Sequence, residues 1–136
     1  MTVQPVTTTQ NLTADRSWLA SLHATGQTDS ITLDVSTFAA GTHYFASTDS
    51  TVPFSRFLSG IPVGKITASG LYGLYATGAA DGRQNLAGFV YAEVLFNPTQ
   101  TKVPAALLWH GSVKTARLPV AVAPVVPSAT CQIRFV

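Results

Sequence analysis

The sequence predicts a mainly β domain, a compact small barrel or sandwich with little helix. Short apolar runs with strand-like alternation recur along the chain at spacings of roughly 8–15 residues. Ten glycines and eight prolines separate these runs, and the long helical patterns that a parallel α/β fold needs are missing. With 136 residues, 46% of them hydrophobic, the chain can bury the core of one domain.

The individual strands are predicted from alternation and from turn residues. Ile31, Leu33 and Val35 alternate with polar residues, which predicts a half-buried strand. Further strands are predicted over residues 41–45, 61–67, 71–75, 89–96, 103–109, 113–118 and 132–136. Asn97-Pro98 and His110-Gly111 are predicted to be turns between them.

Two segments fit a strand less well. Trp18, Leu19 and Leu22 would share one face of a short helix over residues 15–25, but an irregular extended segment fits equally well. Residues 120–123 suit a short helix before Pro124.

Residues 1–14 are predicted to form a flexible or extended arm, and residues 15–136 a single β-rich domain. The arm is rich in Thr and Gln and has no large apolar cluster. Extended, thirteen residues reach about 40–47 Å, well beyond a body with a radius of gyration of about 14 Å. The residues suited to binding a partner as an added strand are Thr2, Val3, Gln4, Pro5, Val6, Thr7, Thr8 and Thr9. An ordinary frayed terminus is the alternative.

The charge pattern limits the possible partners. Only 10% of residues are charged, against roughly 25% in a typical soluble domain, so we expect much of the surface to be covered in the working state. The net charge is +2 and the basic residues are scattered singly, which argues against a nucleic-acid partner. No apolar run reaches the roughly 18 residues of a membrane span, and the start lacks secretory signal features. We therefore expect no membrane association.

The sequence predicts no enzyme and no cofactor. Six acidic residues and three separated histidines offer no motif for a metal or a carboxylate pair, although the fold can assemble either. A nucleophile elbow and the glycine-rich phosphate loops are absent from the sequence. Cys131, the single cysteine, cannot form an internal disulfide and is predicted to be a packed thiol.

Three local features have two interpretations each. Tyr72 and Tyr75 suit either a stacking platform for a ring-shaped ligand or ordinary packing. Asp81-Gly82 indicates a turn rather than a catalytic carboxylate. Trp109, followed by His110, is predicted to be either an interface anchor or a core residue.

The order of several segments resembles the bacteriophage head decoration family. These segments are GIPVGKITASGLYGLY (60–75), ADGRQ (80–84), LAGFV (86–90), WHGSVK (109–114) and ARL (116–118). The family shares a Gly-Lys-Ile-Thr strand, an Asp-Gly turn, an Ala-Gly-aliphatic strand and a His-Gly turn in that order. The resemblance covers about residues 58–136.

The resemblance implies a β-tulip type fold and a capsid-cementing role without enzymatic activity. Family members bind as homotrimers to the outside of the expanded head of a tailed phage, at three-fold and quasi-three-fold sites. Their partner is the major capsid protein, and their N-terminal segment becomes ordered on it. The chain would then be located on the virion surface, after assembly in the host cytoplasm. Tyr72, Tyr75, Trp109 and His110 become candidates for the trimer interface or the core.

A carbohydrate-binding or adhesive β-sandwich module on a phage or bacterial surface is the alternative. Tyr72, Tyr75 and Trp109 lining one groove would favour that module.

Overall fold

The computed structural model describes residues 15–23, 25–47, 54–128 and 131–136. This part of the chain contains ten β-strands and two single-turn 3-10 helices, Val35–Thr37 and Thr115–Arg117, so the mainly β prediction is confirmed. The strands are β1 (Asp29–Asp34), β2 (Tyr44–Phe45), β3 (Ser55–Phe57), β4 (Pro62–Lys65), β5 (Tyr72–Leu74), β6 (Gly88–Val90), β7 (Val94–Phe96), β8 (Lys102–Leu108), β9 (His110–Val113) and β10 (Gln132–Phe135).

Five strands close into a barrel in the order β1, β5, β4, β6 and β8. Neighbouring strands are antiparallel except β1 and β5, which run parallel and pair at one position, Leu33 with Tyr72. The starts of β1, β5 and β6 and the ends of β4 and β8 therefore meet at the same end of the barrel. We call this the open end, and the opposite one the closed end.

The closed end is filled by aromatic side chains from a small antiparallel sheet, β2-β3-β7. Phe57 and Phe96 are buried, and their rings stack with centroids 5.0 Å apart. Tyr44 lies 5.3 Å from Phe57, and Phe38 meets the same ring edge-on at 5.0 Å. These rings join the barrel interior, including Leu33, in one hydrophobic cluster.

A second hydrophobic cluster lies on the outer face of β6 and β8. Phe89 and Leu108, paired across these strands, are buried there against Ile133 and Trp18. The parallel pair β9-β10 covers them. Cys131 is buried in this cluster, and burial raises the pKa of its thiol, which keeps the group protonated at neutral pH.

The segment that begins the described chain is not a helix; the extended alternative is correct. Leu19 forms an isolated bridge with Val113, and the Lys114 N–H donates to the Trp18 carbonyl at 2.6 Å. The Trp18 indole is 1% exposed, and its N–H donates to Ser59 Oγ at 2.9 Å. Burial of this large side chain, whose polar N–H is satisfied, outweighs the local helical spacing.

The prediction of a single strand over residues 89–96 was wrong. The chain forms β6 in the barrel, leaves regular structure at 91–93 and resumes as β7 in the small sheet. Val90 and Val94 both reach the hydrophobic core, but they belong to different sheets. This mostly apolar segment, which contains Glu93, therefore includes a change of sheet, which alternation alone does not show.

The predicted turn at His110-Gly111 was also wrong. Both residues belong to β9, where His110 pairs with Gln132 and Gly111 with Ile133. The strand predicted over 113–118 ends at Val113, and the chain then forms the 3-10 turn. Residues 120–123 form no helix and run without regular structure between Pro119 and Pro124, because proline interrupts helical hydrogen bonding. Strand β3, which has three residues, was not predicted from the sequence.

Candidate functional site

The predicted arm residues lie outside the described part of the chain. Thr2, Val3, Gln4, Pro5, Val6, Thr7, Thr8 and Thr9 fall before residue 15, where the description begins. Their role therefore stays a prediction.

A groove of about 620 Å³ occupies the open end of the barrel. Of the three residues that the carbohydrate-binding alternative places in one groove, Tyr72 and Trp109 line it, whereas Tyr75 packs beside the second hydrophobic cluster. Tyr72 and Tyr75 therefore do not form a shared stacking platform. The volume lies within the range of about 300–1,000 Å³ typical of small-molecule sites. The remaining lining residues are Asp29, Lys65, Thr67, Gly82, Asn85, Leu86, Ala87 and Leu107.

The groove is a continuation of the barrel interior. Alternate residues of a strand share a face, so Lys65 follows buried Val63 and Trp109 follows buried Leu107 on the inward side. Asp29 precedes buried Ile31 in the same way. Apolar residues fill the middle of the barrel, and charged and aromatic residues lie where the strands end.

The core interpretation of Trp109 is partly right, and its role as an interface anchor stays a prediction. Its side chain is half-buried, packs against the core cluster and still lines the groove. His110 lies outside the groove lining, with its ring centroid 4.2 Å from that of Trp109 and 5.3 Å from that of His23. Its Nδ1 atom is buried without a hydrogen-bond partner among the described residues. Trp109 is therefore the member of this pair that a groove ligand would contact.

The charged groups around the groove balance one another. Asp29 and Lys65 contribute one charge of each sign. Beside them, Arg83 Nε lies 3.0 Å from Asp81 Oδ2, which forms a second neutral pair. Burial raises the pKa of the Tyr72 phenol, and the Asp29 carboxylate adds to that shift. Tyr72 is therefore neutral at physiological pH and can both donate and accept a hydrogen bond.

The Asp81-Gly82 turn is confirmed, and Gly82 allows it to approach the groove. Gly82 has φ +116°, a conformation that favours glycine. A side chain there would collide with the Lys65 carbonyl and the Thr67 hydroxyl. The Thr67 N–H donates to the Asp81 carbonyl at 2.9 Å, which fixes the turn against the end of β4. The backbone N–H of Arg83 donates to Asp81 and lowers the pKa of that carboxyl.

The polar groups of the groove have hydrogen-bonding capacity that the protein does not use. Within the described ranges, no protein hydrogen bond is made by the side chains of Asp29, Lys65, Tyr72, Asn85 and Trp109. The Trp18 indole, by contrast, is fully committed to Ser59. The groove can therefore offer an aromatic face, donors and acceptors to a bound molecule.

A second surface lies on the outer face of the β2-β3-β7 sheet. Phe45, Phe54 and Leu95 are 48%, 46% and 45% exposed, and we call them the outer apolar patch. Arg56 links them: it pairs with Phe45 on one side and Leu95 on the other, and its guanidinium lies 4.9 Å from the Phe45 ring centroid. This patch could not be predicted from the sequence. Val94, Leu95 and Phe96 are all apolar, so alternation could not show which one faces outward.

The start of the described chain is fixed beside this patch. The Asp15 N–H donates to Glu93 Oε1 at 3.0 Å, and Arg16 Nη2 lies 3.2 Å from Glu93 Oε2. The Arg16 guanidinium also lies 5.1 Å from the Tyr91 ring centroid. Glu93 is two residues, or about 7 Å of strand, from Leu95. Residue 15, where the description begins, therefore lies close to the outer apolar patch.

Comparison with known proteins gives no relative: no family model, curated protein or solved structure matches this chain. In the described ranges, no three His, Cys, Asp or Glu side chains come together in a group that could hold a metal. No described helix has the length and apolar character needed to cross a membrane.

Proposed function

We propose that this chain is a capsid decoration protein without enzymatic activity. It binds as a homotrimer to the major capsid protein on the outside of an expanded tailed-phage head, at three-fold and quasi-three-fold sites. The resemblance of residues 58–136 to head decoration proteins supports this proposal. The resembling segments contain three of the five barrel strands, β4, β5 and β6, together with β9, and all of them belong to one folded body.

The proposal rests mainly on one observation. The outer apolar patch lies next to residue 15, where the described domain begins and the predicted arm ends. Phe45, Phe54 and Leu95 present apolar side chains on a small sheet, and Glu93 anchors residues 15 and 16 beside them. Exposed apolar groups gathered on one face are typical of a protein-binding surface. The patch and the arm together form one surface for the capsid protein.

Multivalency makes this arrangement effective. Each arm loses conformational freedom when it becomes ordered on the shell, so a single arm binds weakly. Three arms on one trimer bind at high effective concentration, which raises the overall affinity. Closed symmetry also limits open-ended association through strand edges. A charge content of 10% is compatible with a surface that is largely covered on the shell.

Co-sedimentation with shells tests the proposal. Shells of the tailed phage that encodes the chain are prepared in expanded and unexpanded forms without decoration protein. We expect saturable binding to the expanded form, at about three copies per three-fold site, and loss of binding when residues 2–14 are deleted. Absence of binding to both shell forms would contradict the proposal.

Substitutions test the capsid-facing surface separately from the arm. Leu95→Glu places a charge in the outer apolar patch and is expected to weaken binding at least 10-fold, because the charge would have to be desolvated in the contact. Val126→Glu is the matched control, since Val126 is exposed and belongs to a different part of the surface. Equal binding by both variants would exclude the patch from the capsid contact.

A further inference from the structure

We infer that the open-end groove is a binding site for a neutral saccharide. This inference concerns the end of the barrel opposite the outer apolar patch, and it does not depend on capsid attachment. Two aromatic side chains, Tyr72 and Trp109, share the groove with hydrogen-bonding groups of three kinds: a carboxylate, an ammonium and an amide.

The shape of the groove suits a sugar. A pyranose ring has faces lined with C–H groups and an edge of hydroxyl groups, so it needs an apolar surface beside donors and acceptors. Trp109 and Leu107 supply the apolar surface, and Asp29, Lys65 and Asn85 supply polar groups at the rim. Small-molecule sites commonly combine apolar walls with a few polar groups of this kind, and the mouths of β-barrels are one of their usual places.

The charge of the groove determines which class of ligand fits. Asp29 and Lys65 balance each other, and the neighbouring Asp81–Arg83 pair is also neutral. A polyanion such as a nucleic acid strand or a sulfated glycan would need an excess of basic residues. A neutral saccharide needs none, and its hydroxyl groups can accept from Lys65 and donate to Asp29.

The two tryptophans contrast in a way that supports the inference. Trp18 is buried and its indole N–H is bound to Ser59 Oγ. Trp109 is half-buried, lines the groove and donates its indole N–H to no described protein acceptor. An indole face backed by the core, with a free N–H at its edge, is a preorganised surface for a ligand.

Nuclear magnetic resonance of the full chain gives a direct readout, because its two tryptophans produce two indole N–H signals. The Trp109→Phe variant assigns them. Maltotriose, mannotriose and N-acetylchitotriose are titrated to about 10 mM, enough to detect a Kd of about 1 mM, and a neutral-glycan array extends the range. We expect at least one neutral saccharide to shift the Trp109 signal while the Trp18 signal stays in place.

Variants at the rim test the site without disturbing the core. Asp29 and Lys65 are exposed, so Asp29→Ala and Lys65→Ala should fold normally, and each is expected to raise the Kd about 10-fold. Lys102→Ala is the matched control, since Lys102 is an exposed lysine at the closed end of β8. We expect it to leave the Kd unchanged.

Three results would each overturn the inference. The first is no array binding and no Trp109 shift with any neutral saccharide. The second is a shift with a heparin fragment alone, which would indicate a polyanion site. The third is a Trp109 signal that changes with protein concentration in parallel with the molecular mass, which would make the groove a contact between copies of the chain. None of these results bears on shell binding, which is measured separately.

Discussion

The two ends of the barrel are built from similar residues but in opposite ways. At the closed end, Phe57 and Phe96 stack on each other inside a covering sheet and expose almost nothing. At the open end, Tyr72 and Trp109 stay half-buried beside charged groups and line a groove. Aromatic residues at the ends of strands thus stabilise the fold where another sheet covers them, and they remain available for binding where no described element covers them.

The largest expected difference between the ends is in stability. Phe57→Ala removes a fully buried ring and should lower the free energy of unfolding by about 3–5 kcal/mol. Trp109→Ala removes a half-buried ring over the groove and should cost less, about 1–2 kcal/mol, because part of that ring is already exposed to solvent. Urea unfolding of both variants measures this difference, and equal losses would contradict the comparison.

Two glycines, Gly60 and Gly70, allow the stability cost of steric contact to be measured separately from the cost of backbone strain. Gly60 and Gly70 have similar φ values, +88° and +74°, so alanine is strained at both. A Cβ at Gly60 would lie 2.9 Å from the Trp18 ring, while one at Gly70 would meet nothing within 4 Å. Gly60→Ala should therefore cost about 1–3 kcal/mol more than Gly70→Ala. Thermal unfolding of both variants checks this prediction, and equal midpoints would contradict it.

The closed end should also make stability depend on pH. Burial lowers the pKa of His43 below its ordinary value of 6.5, and its Nδ1 accepts from the Ala39 N–H at 2.9 Å. The folded protein therefore binds this proton more weakly than the unfolded chain. The contribution of neutral His43 is complete above about pH 6.5 and is lost as the pH falls through the lower folded pKa.

The His43→Gln variant lacks this titrating group, so its free energy of unfolding is measured over the same pH range as a control. We expect the free energy of unfolding of the wild type to fall as the pH decreases below about 6.5, and the variant to show a flatter profile. The absolute stability of the variant is not the test, because glutamine changes the packing as well. Parallel pH profiles would show that His43 does not contribute.

The smallest expected effect on stability is at the open end. Tyr72→Phe keeps the ring and removes a hydroxyl that binds no described protein group. The free energy of unfolding should change by no more than about 0.5 kcal/mol. Chemical denaturation checks this value, and a loss of several times that size would mean that the hydroxyl supports the fold.

Part of the fold could be predicted from the sequence because several strands, such as β1 and β10, alternate between buried and more exposed residues. Ile31 and Leu33 are buried in β1 as their pattern requires. The failures occur where alternation carries no information. The mostly apolar segment from Phe89 to Phe96 contributes to two different sheets. His110-Gly111 has the sequence of a turn, but pairing with β10, which is distant in sequence, makes both residues part of a strand.

The binding surfaces could be predicted only in part. Tyr72 and Trp109 could be selected as residue types suited to binding, but their meeting in one groove depends on barrel closure through the single Leu33–Tyr72 pairing. The outer apolar patch could not be predicted, since Phe45 and Leu95 become neighbours of Arg56 only through two ladders of the small sheet.

Cryo-electron microscopy of decorated expanded shells tests the central claim most directly, because it shows which end of the barrel faces the capsid. We expect trimers whose outer apolar patch and residue 15 contact the capsid protein, with the open-end groove facing outward and accessible. A reconstruction with the groove against the shell, or with no density for this protein at three-fold sites, would contradict it.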